Sequence, residues 1–233
     1  MKTIAISQSN YIPWKGYFDL ISQVDEFILY DDMQYTRRDW RNRNRIKTSQ
    51  GIDWLTIPVD VKGKYFQTIK DTAVSESNWP KVHWRTIEHA YSKAPFFEKY
   101  RILFGALYSE CETETSLSKI NYKFITEICK LLNINTKISW SMDYKLVEGK
   151  TERLIDLCQQ SSATRYVSGP AARDYIIPEL FAQANIELNY MAYSAYPEYR
   201  QLYPPFEHAV SILDVIFNTG PEANTYIHRE NIK

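Results

Sequence analysis

Cysteine is scarce in this sequence and odd in number. Cys111, Cys129 and Cys158 include no pair at zinc-site spacing. Such a set argues against a disulfide framework and predicts a reducing, cytoplasmic setting, with the thiols acting as small core hydrophobes. Charge of one sign is also lacking. The 28 Lys and Arg balance the 28 Asp and Glu, which argues against a surface that binds nucleic acid or anionic lipid as a whole. No apolar run approaches the roughly 20 residues of a membrane span, so no membrane partner is expected. MKTIAIS followed by QSN lacks the apolar centre of a signal peptide. Repeats, low-complexity tracts and flexible linkers are missing, as is the G-x-S-x-G nucleophile signature. Gly149-Lys150-Thr151 lacks the earlier glycine of a P-loop. The four histidines show no metal spacing, and His83 and His89, six apart, do not share a helix face. No metal site is predicted.

What is present is an ordinary globular composition, 44% hydrophobic and 24% charged over 233 residues. A chain of this length buries about 70% of its unfolded surface without staples. The 18 Tyr, 10 Phe and 6 Trp suit either a ligand groove or aromatic packing.

Strand and helix patterns alternate at both ends. Thr3–Ser7 reads as a strand. Tyr17, Leu20, Ile21 and Val24 follow at helical spacing, and Glu26–Tyr30 is a second strand. This is the β–loop–α–β start of a parallel sheet. Residues 53–59 (DWLTIPV) read as a strand, at an edge or ended by Pro58. Helices are predicted after an Asn78 N-cap, with Val82, Ile87, Ala90 and Tyr91 facing the core, and over 96–109 and 117–132. Strands at 136–142, 165–169 and 186–193 then alternate with helices at 151–160 and 170–184. A Tyr/Pro-rich loop and a last helix, 209–218, complete the chain. The expected fold is one α/β domain over 1–233, with a mostly parallel sheet of Rossmann-like (HUP-like) type and a helical insert near 75–133.

Four stretches carry candidate chemistry. SQSNYIPWKGYFD (7–19) joins a strand to a helix, where α/β folds place ligands. Gln8, Asn10, Tyr11, Trp14 and Tyr17 offer polar and aromatic edges, Lys15 a charge, and Gly16 close backbone approach. In YDDMQYTRRDWRNRNRIK (30–47), Asp31 and Asp32 end a strand. Arg37, Arg38, Arg41, Arg43, Arg45 and Lys47 then interleave with Trp40, Asn42 and Asn44. A solvated basic face, an anion cradle and a local nucleic-acid patch all fit that pattern. Lys150 and Arg153 sit at a helix start, where cations oppose the dipole unless an anion joins them. Ser168, Gly169 and Arg173 flank another strand-to-helix turn.

NYIPWKGYFDLI, DEFILYDDMQYTRRDWRNRNRIKT, WLTIPV, TERLIDLC, YVSGPAARDYI and YRQLYPPFEHAVSILDVIFNTG together resemble the WbqC-like family of bacterial proteins. The family opening H-Q-P-x-Y-L-P-W reads here Ser7-Gln8-Ser9-Asn10-Tyr11-Ile12-Pro13-Trp14, with serine replacing the histidine and first proline. The resemblance implies a setting in O-antigen or other surface polysaccharide pathways and, for some members, action on amino sugars that receive an acyl or aminoacyl group. Trp14-Lys15-Gly16-Tyr17 and Val167–Arg173 are more faintly similar to the H-x-G-H and I-S-S-T-x-x-R elements of the nucleotidyltransferase and pantothenate synthetase superfamily. Both of its histidines are lost here.

The expected function is acyl or aminoacyl transfer to the amine of a nucleotide-activated sugar, with nucleotide sugar as partner and an acyl or aminoacyl donor. Lys15, Arg45, Lys150, Arg153 and Arg173 would hold phosphates, with Arg38 beside them. Asp31 or Asp32 would act as general base, and Tyr35, Asn42 and Asn44 would orient the sugar. Two alternatives are an adenylyl-transferring or amide-forming enzyme using ATP with magnesium, and a module for RNA or an acidic partner centred on Arg37–Lys47.

Overall fold

A computed structural model describes residues 1–228. Five strands form one parallel sheet in the order β5-β2-β1-β6-β7: β1 Thr3–Ser7, β2 Glu26–Leu29, β5 Lys137–Trp140, β6 Arg165–Ser168 and β7 Glu187–Tyr190. The chain builds outward from β1 through β2 to β5, then returns to the other side of β1 for β6 and β7. The order therefore reverses between β1 and β6, the place where Rossmann-like sheets open a crevice at their carboxyl ends.

Strand alternation sends neighbouring residues to opposite faces. Ala5, Phe27 and Leu29 join one core with Phe18 and Ile21 of α1 (Lys15–Ser22). The helices of α2 (Trp79–Tyr91), α3 (Phe97–Glu110), α4 (Leu117–Leu131) and α7 (Ile212–Thr219) pack into the same core. Ile4, Ile6 and Ile28 meet Leu154, Leu157 and Cys158 of α5 (Thr151–Gln160) and Phe181 of α6 (Pro178–Gln183) on the other face. All three cysteines are free and buried. No helix among the described residues is long and apolar enough to cross a membrane.

Several elements differ from expectation. Arg43–Thr48 is a strand, β3, paired antiparallel with β4 (Gly51–Thr56) in a separate two-stranded hairpin. The helix expected at 170–184 is a 3-10 turn, Pro170–Asp174, followed by the shorter α6. Ile177 precedes Pro178 and adopts the extended backbone that the proline ring imposes. The last helix starts at Ile212, where the Ser211 side chain accepts from Leu213 N at 3.3 Å. Asn78 precedes α2 without a side-chain cap, and Val82 faces solvent.

Glu26 anchors the sheet edge. Its fully buried carboxylate receives Lys2 Nζ at 2.7 Å, the Ser139 and Tyr144 hydroxyls at 2.6 Å, and Lys137 Nζ at 2.9 Å. Burial works to raise its pKa, but these four donors outweigh it and bring the value from 4.5 to about 2. An acid depressed in this way stabilises the fold above its unfolded pKa and loses that contribution as pH falls through the folded value. Glu26→Gln is expected to lose about 1–2 kcal/mol at pH 7, allowing for the exposure of Lys137. It should also flatten the loss of stability between pH 4.5 and 2, checked by denaturant titration across that range.

Candidate functional site

The loop after β1 is held from three sides. Ser9 N donates to Asp31 Oδ1 at 2.8 Å, tying it to the end of β2. Tyr11 N donates to the Trp40 carbonyl at 3.1 Å, and Ile212 N to the Pro13 carbonyl at 2.9 Å. From β3, Asn44 Nδ2 reaches the carbonyls of Tyr11 and Ile12 at 3.1 and 3.0 Å. Ile12 has φ +36°. A β-branched residue in left-handed backbone is strained, and such strain persists only where the surroundings enforce it. Asn44 supplies much of that enforcement.

The hairpin turns Asn44, Ile46 and Leu55 inward and Arg43, Arg45 and Trp54 outward, as the two-residue period requires. Trp40 and Trp54 lie with ring centres 5.5 Å apart. The Arg43 guanidinium sits 4.1 Å over Trp54, and that of Arg45 lies 5.7 and 5.9 Å from the two rings. Between this face and the β1 loop is a cavity of about 270 Å³, lined by Asn10, Pro13, Trp14, Trp40, Asn44 and Ala209. Arg41 hydrogen-bonds Asn10 Oδ1 at its rim. The Nε atoms of Arg41, Arg43 and Arg45 are buried without a partner. The opening loop and the arginine-rich stretch thus form one place, with Asn10, Trp14, Asn44 and Arg45 together. Reasoning from sequence named Arg43 within the basic run but missed Trp54; the signal was the alternation R-N-R-N-R followed by a turn and DWLT.

The two aspartates part ways. Asp31 is fully buried. Its oxygens take Ser9 N and the Ser118 hydroxyl, and burial raises its pKa. It ties the β1 loop to the start of α4 from inside the fold. Asp32 stays partly open, paired with Lys70 and accepting from Ser141 Oγ at 2.6 Å, beyond the end of β5. Nearby, Arg153 donates to the Val147 carbonyl at 2.6 Å and lies 3.4 Å from the Tyr30 hydroxyl. Farther along the edge, Ser168 is buried against the Tyr166 hydroxyl at 3.2 Å. Gly169 lies under Tyr193, and exposed Arg173 covers the Tyr190 ring at 4.2 Å. Lys150 and Arg38 are exposed.

Other expected ligand groups point inward. Tyr11 is fully buried, bonded to Tyr108 at 2.6 Å and to His83 Nδ1 at 2.9 Å. Burial lowers the His83 pKa to about 4, so its neutral ring completes this helical core. Tyr17 donates to the Gln8 carbonyl at 3.0 Å, and Asn42 Nδ2 to the Ile57 carbonyl at 2.8 Å. Tyr35 is buried beneath the 60–70 loop, its N–H on the Gln67 carbonyl at 2.9 Å. The group approaching Gly16 is the Trp14 indole: a Cβ there would meet it at 2.4 Å.

Lys15 is also buried, only 1% exposed. Its Nζ donates to the Pro197 carbonyl at 3.2 Å and faces the rings of Tyr196, Tyr199 and Phe206 at 5.3–5.5 Å. Residues 191–210 cover it as an irregular strap. Burial, opposed by Asp214 and Glu198, lowers its pKa from 10.5 to about 8. For a lysine depressed on folding, the penalty is complete below the folded pKa and fades as pH rises to the unfolded one. Lys15→Met is therefore expected to stabilise the protein by about 1–2 kcal/mol at pH 7. It should also abolish the gain in stability that the wild type shows between pH 8 and 10.5, read from denaturation midpoints.

A larger hollow, about 540 Å³, opens beside β5 and is lined by Lys2, Glu26 and Lys137 among others. Its charges already satisfy one another, so the hairpin cavity is the better candidate.

No solved structure matches the chain. It is 53% identical over 227 residues to the uncharacterized protein Rv1507c of Mycobacterium tuberculosis, covering 97% of this chain and 98% of that one. The WbqC-like protein family matches residues 8–226, from the strained loop through the 3-10 turn after α7. The chain belongs to the WbqC-like protein family.

Proposed function

We propose that this protein is an enzyme of surface polysaccharide biosynthesis that transfers an acyl or aminoacyl group to the amine of a nucleotide-activated sugar. One observation carries the reading: a cavity walled by Trp14 and Trp40, with Arg41 bonded to Asn10 at its rim and Arg45 beside Trp40, opens beside the β1 loop. That loop is itself pinned to the strand end bearing Asp31 and Asp32. Aromatic faces take rings, guanidinium groups take phosphate, and an accessible carboxylate takes a proton from an attacking amine. Asp32 is the base. As the amine attacks the donor's acyl carbon, its proton passes to the carboxylate, the amide bond forms, and the donor's acyl bond breaks to release its carrier. Family membership supports the polysaccharide setting.

The adenylyl-transfer alternative fares worse. Its phosphate-holding turn would be Trp14–Tyr17, and here Trp14 covers Gly16 while Lys15 and Tyr17 are buried. Thermal shift against dTDP-, UDP-, GDP- and CDP-sugars, ATP with magnesium, coenzyme A and short RNA separates the readings. A ligand at 100 times its Kd adds about 2.7 kcal/mol of stability. Stabilisation by one nucleotide-sugar class is expected; stabilisation by ATP with magnesium alone, or by RNA alone, would overturn the proposal.

A further inference from the structure

Trp40, in the turn before β3, and Trp54, on the outer face of the hairpin, are 38% and 41% exposed. Single exposed aromatics are common, but two adjoining tryptophans beside a cavity mark a binding surface. The contacts run in sequence. Arg43 covers Trp54, Trp54 leans on Trp40, and Trp40 lines the cavity. The Arg45 guanidinium lies within 6 Å of both ring centres and has no ion-pair partner among the described residues.

The polar wall of the cavity is largely committed. Asn44 Nδ2 serves the Tyr11 and Ile12 carbonyls, and its Oδ1 accepts from Arg45 N at 2.8 Å. Asn10 Oδ1 is taken by Arg41. A sugar ring, which needs many hydrogen-bonding partners, finds few there. A flat π-system with an attached anion finds an aromatic face and, beside it, the Arg45 guanidinium.

We infer that this cavity is the nucleoside diphosphate subsite of the proposed centre, with the base stacked on Trp40 and the diphosphate held by Arg45 and Arg43. The sugar is thereby left to the carboxyl edge, where Asp32 lies. This inference rests on the reading that the ligand is nucleotide-linked. It adds which part of the ligand the hairpin recognises, and it makes Trp40 and Arg45 determinants of affinity rather than of chemistry.

Calorimetric titration of the full chain with UDP, dTDP, GDP and CDP tests it. One of the four should bind, and Trp40→Ala should weaken that binding at least tenfold, the scale of one base–aromatic stack. Trp40→Phe keeps a ring and should stay within about threefold. Arg45→Gln should weaken binding about tenfold and reduce its salt dependence. Wild-type affinity in both Trp40→Ala and Arg45→Gln would overturn the subsite while leaving the nucleotide-sugar reading intact. Failure of all four diphosphates and of their amino sugars to bind the wild type would overturn both. Tighter binding of single-stranded RNA than of any diphosphate would replace the subsite with a nucleic-acid surface.

Discussion

Asp32→Asn is expected to lower turnover at least a hundredfold and to leave nucleotide-sugar affinity within threefold. The reason is the contrast between two adjacent carboxylates. Asp31 is fully buried, its oxygens turned inward onto Ser9 N and Ser118 Oγ, so a substrate amine does not reach it. Asp32 keeps 12% of its side chain exposed and holds its shape through Ser141 and Lys70. Asparagine preserves that shape and the Ser141 contact but cannot accept the amine proton, and a positioned base contributes about 10²–10⁴ in rate. Lys70 is 36% exposed, so loss of the ion pair costs little stability. Steady-state kinetics with parallel binding measurements check the split. Turnover within tenfold of wild type, or loss of binding with no separate loss of turnover, would reject Asp32 as the base.

The second large effect concerns stability. Asp214, 1% exposed, accepts from Tyr199 OH at 2.6 Å, Gln201 Nε2 at 2.9 Å, Tyr91 OH at 3.0 Å and Asn218 Nδ2 at 3.3 Å. Burial raises its pKa against the pull of these donors and of Lys47. The network joins α7 to α2 and clamps the 191–210 strap over Lys15. Asp214→Ala strands several buried donors at once, each costing about 1–3 kcal/mol when left without a partner. We expect a loss of about 4 kcal/mol, or roughly 10 °C in Tm for a chain of this size. Denaturant midpoints measure it directly, and a loss below about 1 kcal/mol would show that the strap is held by other contacts.

Much of the fold was legible because its signals are local. The α5 helix, Thr151–Gln160, and the α4 stripe of Leu117, Ile120, Phe124 and Ile128 follow from helical spacing alone. The β1–α1–β2 start and the carboxyl-edge placement of its loop follow from alternation of short strands with a helix. β3 was illegible as a strand because of its composition. Arg43, Asn44 and Arg45 have poor strand propensity, and their alternation is of charge and amide rather than of apolar and polar. The inward fate of Tyr11 depended on His83 and Tyr108, 72 and 97 residues away, which no local pattern announces. Asp31 and Asp32 read as equals in sequence. They leave the strand end in opposite directions, one under Ser9 and one toward Ser141.

Backbone amide exchange on the full chain, with and without the nucleotide sugar that gives the largest thermal shift, tests the central claim most directly. The account predicts slowed exchange in residues 8–17 and 38–47, with a smaller effect at 30–35 and no change beside Lys2, Glu26 and Lys137. Protection confined to that β5-edge hollow, or none in 8–17 and 38–47 under saturating ligand, would contradict it.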